Sequence, residues 1–322
     1  MGSCVLYQHT LKREVELRGI GLHSGVAVRM VLKPAPPSTG IVLKRSDGAS
    51  HPPVKVSCEA ISRSYLATTI GVNGTGVTTV EHLLAALVGC GVDNVVIDVN
   101  GPELPVCDGS AKHYVEKILE AGLEKQQEVR CFCVVKEPVE YAEADAYLKA
   151  HPANRLEITY SIEFDHPTIG YQELSWTFDT RNFVSQIAPA RTFGFLKDVE
   201  NLQRMGLAQG GSLDNAIVFD DKGIINREGL RFSDECVRHK ILDFLGDLLL
   251  LGKPVLGHFR IHKAGHALHH RFLRRLAPRL QKWAVTKVPL EVAKAFQPPL
   301  DYDGHIASGE SNSPRIAETT AQ

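Results

Sequence analysis

Cys236-Val237-Arg238-His239-Lys240-Ile241-Leu242-Asp243-Phe244-Leu245-Gly246-Asp247-Leu248-Leu249-Leu250-Leu251 reads as one helix, the strongest in the chain, ended by Gly252 and Pro254. Residues four apart share a helix face. His239 and Asp243 therefore stand side by side, with Asp247 one turn further along the stripe. A companion stretch, Thr79-Val80-Glu81-His82-Leu83-Leu84-Ala85-Ala86-Leu87, also starts an apolar, helix-like run with a histidine. Thr78 or Thr79 is its expected N-cap, and Thr78 has the capping-box spacing to Glu81. Gly89-Cys90-Gly91 stops it.

Two imidazoles, a carboxylate and a spare carboxylate make the inventory of a catalytic zinc site: three ligands and a general base. His82 comes from one half of the chain and the His239–Asp243 pair from the other, so an ion held by all three sits between the halves. Two histidines and one carboxylate leave a position for water, whose pKa a bound zinc lowers to about 7. Adjacent helical side chains diverge by about 100°, which makes Glu81 a base rather than a further ligand. Taken singly, each piece has a blander reading. A histidine at a helix start is more often structural, and an aspartate at i+4 is more often a surface partner.

The chain has 322 residues, enough for two domains with proper cores. Its net charge of -1 provides no general attraction for nucleic acid or an anionic membrane. No stretch is long and apolar enough to span a bilayer, and the N-terminus lacks a signal-like apolar run. Leu6 stands where a myristoylation pattern needs Ser or Thr. The seven cysteines are scattered without a CxxC pair, as expected for free thiols in a reducing cytoplasm.

Strands are expected over residues 26–32, 94–99, 131–135, 155–164, 174–178 and 217–219. Helices are expected over 111–121, 195–205 and 266–283. The polar segment from Glu124 to Arg130 reads as a domain boundary, and the chain from Asp301 on as a disordered tail. Val92-Asp93-Asn94-Val95-Val96-Ile97 echoes Leu213-Asp214-Asn215-Ala216-Ile217-Val218, and Val80-x-His82 echoes Val237-x-His239. The expectation is an α+β chain of two related α/β sandwich domains, each a sheet packed on helices, with the active site at their interface. Residues 1–128 form the first and 129–300 the second, followed by the tail, 301–322.

Several further motifs accompany the two helices. They are Gly19-x-Gly21-Leu22-His23-Ser24-Gly25, Gly101-Pro102-Glu103-Leu104-Pro105, Asp108-Gly109-Ser110-Ala111, Ala190-Arg191-Thr192-Phe193-Gly194-Phe195, Gly211-Ser212-Leu213-Asp214-Asn215-Ala216, Arg231-Phe232 and Lys263-Ala264-Gly265-His266-Ala267-Leu268. Together, and in family order over nearly the whole chain, they resemble the UDP-3-O-acyl-N-acetylglucosamine deacetylases. That resemblance implies the committed step of lipid A synthesis in Gram-negative bacteria: hydrolysis of the 2-acetamido group of a UDP-activated, 3-O-acylated glucosamine to amine and acetate. It implies zinc ligands at His82, His239 and Asp243, with Fe2+ an alternative in the cell, and a general base at Glu81. His266 corresponds to a cationic histidine that protonates the leaving amine, and Asp247 to the acid that orients it. Thr192 corresponds to a hydroxyl on the oxyanion, Phe193 to a ring on the hexosamine, and Lys240 and Lys263 to basic residues facing diphosphate and sugar. An acyl-binding insertion runs from Phe195 through Val218, where Phe195, Val199, Leu202, Ala216 and Val218 line a passage, although apolar residues at such spacing are usually plain core. The expected protein is a cytoplasmic monomer with an acylated nucleotide sugar as its partner, no nucleic acid, no membrane insertion and no fused dehydratase domain.

His262, His269 and His270, with Arg271, Arg274 and Arg275, read as a solvated basic helix face, and His23 as near the site but not catalytic. Two rivals are weaker. A non-haem Fe(II) oxygenase shares two histidines and a carboxylate but has no use for Glu81. A protein with a structural zinc would want four ligands rich in cysteine.

Overall fold

The computed structural model describes residues 2–47, 51–72 and 75–299. The tail from residue 301 lies outside them, as do Asn73 and Gly74.

The fold is α+β. A five-stranded sheet runs in the order Val15–Ile20, Ala27–Pro34, Val95–Val99, Ile41–Arg45, Val54–Lys55. Its central strand pairs antiparallel with Ala27–Pro34, Ile97 opposite Leu32, and parallel with Ile41–Arg45, Ile97 opposite Leu43. Val95, Ile97 and Val99 are buried while Val96 and Asp98 are half-buried, the alternation of a sheet with one covered face. A seven-stranded mixed sheet is built on Val255–His262, which pairs with Ala146–His151, Leu156–Glu163 and Phe132–Val134.

Two helices, Glu81–Cys90 and Glu235–Leu248, lie inside. All ten residues of Glu81–Cys90 are buried, as suits a helix apolar on every side. It packs on the helices Lys112–Ala121 and Glu235–Leu248, and the latter packs on His266–Leu280 and on the second sheet. Gly246 permits the closest crossing: a Cβ there would fall 2.0 Å from the Glu81 carbonyl oxygen. The first residue of one helix is thereby set against the C-terminal part of the other.

The polar segment Glu124–Arg130 is largely strand: Leu123–Val129 pairs antiparallel with Tyr7–Leu11. Glu124, Lys125, Gln127 and Glu128 are exposed on either side of buried Gln126, and buried Arg130 closes the segment on Asp93 at 2.6 Å. The strand echo has no common placement, since Val95–Val99 is central in a five-stranded sheet and Ile217–Phe219 is a three-residue strand in a two-stranded sheet with Phe193–Phe195. The capping box does not form. The Glu81–Cys90 helix is entered through Val80, Thr79 has φ +58°, and its hydroxyl donates to Glu103 Oε1 at 2.7 Å. Glu103 also accepts from the N–H groups of His23 and Ser24, at 2.9 and 2.7 Å, tying the glycine turn to the helix entrance.

Candidate metal centre

The crossing of the two central helices brings His82, His239 and Asp243 together, all buried. Asp243 Oδ1 lies 3.3 Å from His239 Nε2 and 3.6 Å from His82 Nε2. Those spacings match the edges of a tetrahedron with metal–ligand bonds of roughly 2.0–2.2 Å. Asp243 Oδ1 is buried without a hydrogen-bond partner, as is His82 Nδ1. A buried oxygen left so is costly, and a cation would satisfy it. His239 Nδ1 faces the Ala190 carbonyl at 3.0 Å, so it carries the proton and Nε2 is bare for a metal. Burial, against the opposing charge of Asp243, lowers the His239 pKa to about 3, which keeps that nitrogen unprotonated. For Asp243, burial favours the neutral acid, but His239 and Lys240 outweigh it and hold the carboxyl well below its usual range.

Glu81 lies beside this triad. Its Oε2 accepts the Thr68 N–H at 3.0 Å, and its Oε1 stands 3.7 Å from His266 Nε2. Burial raises the Glu81 pKa, with His266 and His82 pulling the other way. A carboxylate poised above its usual range is suited to accept a proton near neutrality.

His266 Nδ1 binds Asp247 Oδ2 at 2.7 Å. Burial disfavours its charge, but Asp247 and Glu81 more than compensate and raise the pKa to about 10. Asp247 Oδ1 accepts the Thr68 hydroxyl at 2.6 Å, so one threonine braces Glu81 through its main chain and Asp247 through its side chain. His269 and His270 correct the expectation of a solvated face. Both are fully buried and reach Asp247, His269 Nδ1 at 2.8 Å and His270 Nε2 at 3.3 Å. Only Arg271, Arg274 and Arg275 of that group are exposed, and His262 is half-buried.

The remaining expected residues lie around this centre or lead away from it. Thr192 is half-buried and held through its main chain, its N–H donating to Gly109 O and its carbonyl accepting from Ile217, both at 2.8 Å. Lys240 binds Asp243 Oδ2 at 2.8 Å and stands 5.7 Å over the Phe193 ring. Lys263 is engaged by Asp145 at 2.5 Å and Glu163 at 3.3 Å. Phe195 rests against Phe164, His166 and Phe219. Ala216 and Val218 are half-buried between buried Asn215, Ile217 and Phe219, so they share the more open face of their strand. Val199 and Leu202 are half-buried on the helix Leu196–Arg204, none of whose residues is fully buried. His23 is half-buried with Nδ1 unpaired.

Thr68, His269, His270 and the buried Arg191–Glu235 pair, 2.9 Å apart, were not assigned from the sequence. Arg191 also donates to Glu228, and Glu235 accepts from the Arg231 N–H, which locks the segment leading to Thr192 onto the start of the Glu235–Leu248 helix. For His269 a signal existed: it precedes Phe272 and Leu273 by three and four residues, the spacing of a buried stripe.

A buried two-histidine, one-carboxylate cluster with a second carboxylate and a cationic histidine beside it, on an α+β fold, is consistent with a hydrolytic metalloenzyme. The chain belongs to the UDP-3-O-acyl N-acetylglycosamine deacetylase (LpxC) family, whose model matches residues 8–278. It is 49% identical over 272 residues to the UDP-3-O-acyl-N-acetylglucosamine deacetylase of Oleidesulfovibrio alaskensis, covering 84% of this chain and 88% of that protein. The deacetylase of the same name from Myxococcus xanthus is 46% identical over 269 residues, covering 84% of this chain and 86% of the relative. That of Syntrophotalea carbinolica is 43% identical over 283 residues, covering 88% and 92%.

Proposed function

We propose that this chain hydrolyses the 2-acetamido group of UDP-3-O-acyl-N-acetylglucosamine, releasing acetate and the free amine that lipid A synthesis requires. The carrying observation is the opposition of Glu81 Oε1 and His266 Nε2, 3.7 Å apart and flanking the His82–His239–Asp243 triad. The His82–His239–Asp243 triad would hold zinc, or Fe2+ in the cell, which would supply Lewis acidity to the amide carbonyl and the attacking water.

The residues divide the proton work. Glu81 takes a proton from the attacking water as the new C–O bond forms. His266, cationic and held by Asp247, first steadies the developing oxyanion and then delivers a proton to the leaving nitrogen as the C–N bond breaks. The products are the amine and acetic acid, which loses its proton to solvent as acetate; transfer of the proton gained by Glu81 to the His266 that lost one restores the site. Thr192 offers its hydroxyl to the oxyanion, which is worth roughly 10² to 10³ in rate for such donors. Phe193 packs on the hexosamine, and Lys240 and Lys263 face the polar part of the substrate. Phe195, Val199, Ala216 and Val218 line the path of the acyl chain, a reading supported by the half-buried apolar surface of that segment.

We read residues 1–128 and 129–300 as two domains closing on this centre. The five-stranded sheet draws on residues 15–99 and the seven-stranded one on 132–285. No helix among the described residues is long and apolar enough to cross a membrane. A cytoplasmic monomer acting on a small nucleotide sugar fits the reaction.

Acetate release from UDP-3-O-acyl-N-acetylglucosamine, measured with and without a chelator, tests the proposal. Chelation is expected to abolish it. Full activity after complete metal removal would sink the reading.

A further inference from the structure

Asp247 has more partners than one oriented histidine requires. Oδ2 meets His266 Nδ1 at 2.7 Å and His269 Nδ1 at 2.8 Å. Oδ1 meets the Thr68 hydroxyl at 2.6 Å and His270 Nε2 at 3.3 Å. Asp247, His269 and Tyr160 each have no exposed surface, so no water competes for these bonds. Asp247, His266 and His269 also fall within ligand spacing of one another. However, contacts of 2.7 and 2.8 Å are hydrogen-bond lengths, shorter than the roughly 3.3 Å that separates ligands around a zinc ion. The cluster is a hydrogen-bonded one.

A count of protons assigns its members. A carboxylate only accepts, so the histidine nitrogens facing Asp247 must carry hydrogens. His269 therefore bears its proton on Nδ1. Its Nε2 faces the Tyr160 hydroxyl at 3.1 Å, and Tyr160 also donates to the Ala264 carbonyl at 2.7 Å. Burial lowers the His269 pKa, so the ring is neutral, Nε2 is bare, and it shares the Tyr160 proton with Ala264. A neutral ring gives Asp247 a hydrogen bond without contesting the charge it offers to His266.

The angle of an aspartate carboxylate about its terminal bond is soft. One donor would leave it free to swing, and His266 with it. Two imidazole N–H groups on one oxygen and a hydroxyl on the other fix its plane. The fixed plane aims His266 Nε2 toward Glu81 Oε1, at 3.7 Å, and Asp243 Oδ2, at 3.9 Å. We propose that His269, its tautomer held by Tyr160, is a positioning residue that acts through Asp247 to aim the His266 proton donor. This rests on His266 being that donor.

The test compares His269→Phe, which keeps a ring but no donor, with His269→Asn, which restores an N–H near the Nδ1 position. A buried hydrogen bond to a charged group is worth about 1.5–3 kcal/mol, or about 10- to 100-fold. His269→Phe is expected to lose kcat by about that factor, with KM and metal content unchanged, and His269→Asn to recover most of it. Equal losses in both variants would mean that the site only needs filling, and would overturn the proposal. So would unchanged kcat in His269→Phe beside a collapsed His266→Ala. Unchanged kcat in His266→Ala removes the donor assignment and this inference together. Nitrogen-15 histidine NMR of the unmutated protein gives an independent reading that needs no variant to fold. Protonated Nδ1 in His269 is the expected state, and a bare Nδ1 overturns the proposal.

Discussion

Glu81 Oε1 and His266 Nε2 face each other at 3.7 Å, both buried, although they come from distant parts of the chain. Each perturbs the other: His266 offsets part of the burial that raises Glu81, and Glu81 helps raise His266 to about 10. The pair thus favours a carboxylate beside an imidazolium, the state in which the proposed hydrolysis would begin.

Glu81→Gln keeps the shape and removes the base. General acid–base groups contribute about 10² to 10⁴ in rate, so kcat should fall by about that factor with the metal still bound. Metal analysis of the purified variant checks this, and loss of the ion would make Glu81 a ligand instead.

Activity should depend on pH through the same pair. Glu81 must be deprotonated, so its burial-raised pKa sets the acid limb, above the usual carboxylate range. His266 must keep its proton, so activity is lost as pH rises through the His266 pKa. In the residual activity of His266→Ala the alkaline limb should be gone and the acid limb kept. A kcat/KM profile unchanged in shape would contradict the assignment.

Gly246→Ala places a methyl group against the Glu81 carbonyl, at an unrelaxed 2.0 Å. The two central helices must then separate, moving His239 and Asp243 away from His82. Overpacking of this kind costs about 1–3 kcal/mol. Thermal unfolding and metal titration should show lower Tm and weaker metal binding together, whereas normal metal affinity would mean that the helices relax elsewhere.

His9 lies far from the centre and offers a clean stability test. Burial, with the charges of Arg130 and Lys125, lowers its pKa from 6.5 to about 4. The unfolded chain binds this proton below about pH 6.5 and the folded one only near pH 4, so His9 contributes stability above that window, lost as pH falls through it. The full shift corresponds to about 3 kcal/mol. Urea unfolding of metal-free protein at pH 7 and pH 5 should show a smaller acid loss for His9→Gln than for the unmutated chain, and equal losses would exclude the effect.

Metal binding should stabilise the fold as well as activate it. A ligand at 100 times its Kd stabilises by about 2.7 kcal/mol, so chelation should lower Tm and readdition of zinc restore it. Asp243→Asn should blunt that response, and an undiminished response would place the ion elsewhere.

The sequence by itself determined what local periodicity can carry. His239, Asp243 and Asp247 follow one another at helical spacing, and the structure keeps them on one face of a buried helix. His82 and Glu81 diverge as neighbours on a helix must, and the resemblance of their motifs to a deacetylase family agrees with the family match. Tertiary structure alone decided what those faces meet. Thr68 joins Glu81 to Asp247 because the loop residue just ahead of the strand Thr69–Val72 lies against both, and no rule of spacing links the three. Thr79 leaves its expected cap because its hydroxyl donates to Glu103, which a parallel bridge to Thr78 holds alongside. His269 and His270 look solvated beside three arginines, yet burial of a histidine depends on whether a partner waits inside, and here Asp247 does. Helical geometry reaches one turn along the chain, whereas hydrogen bonding in a dry core depends on which groups the packing brings within about 3 Å.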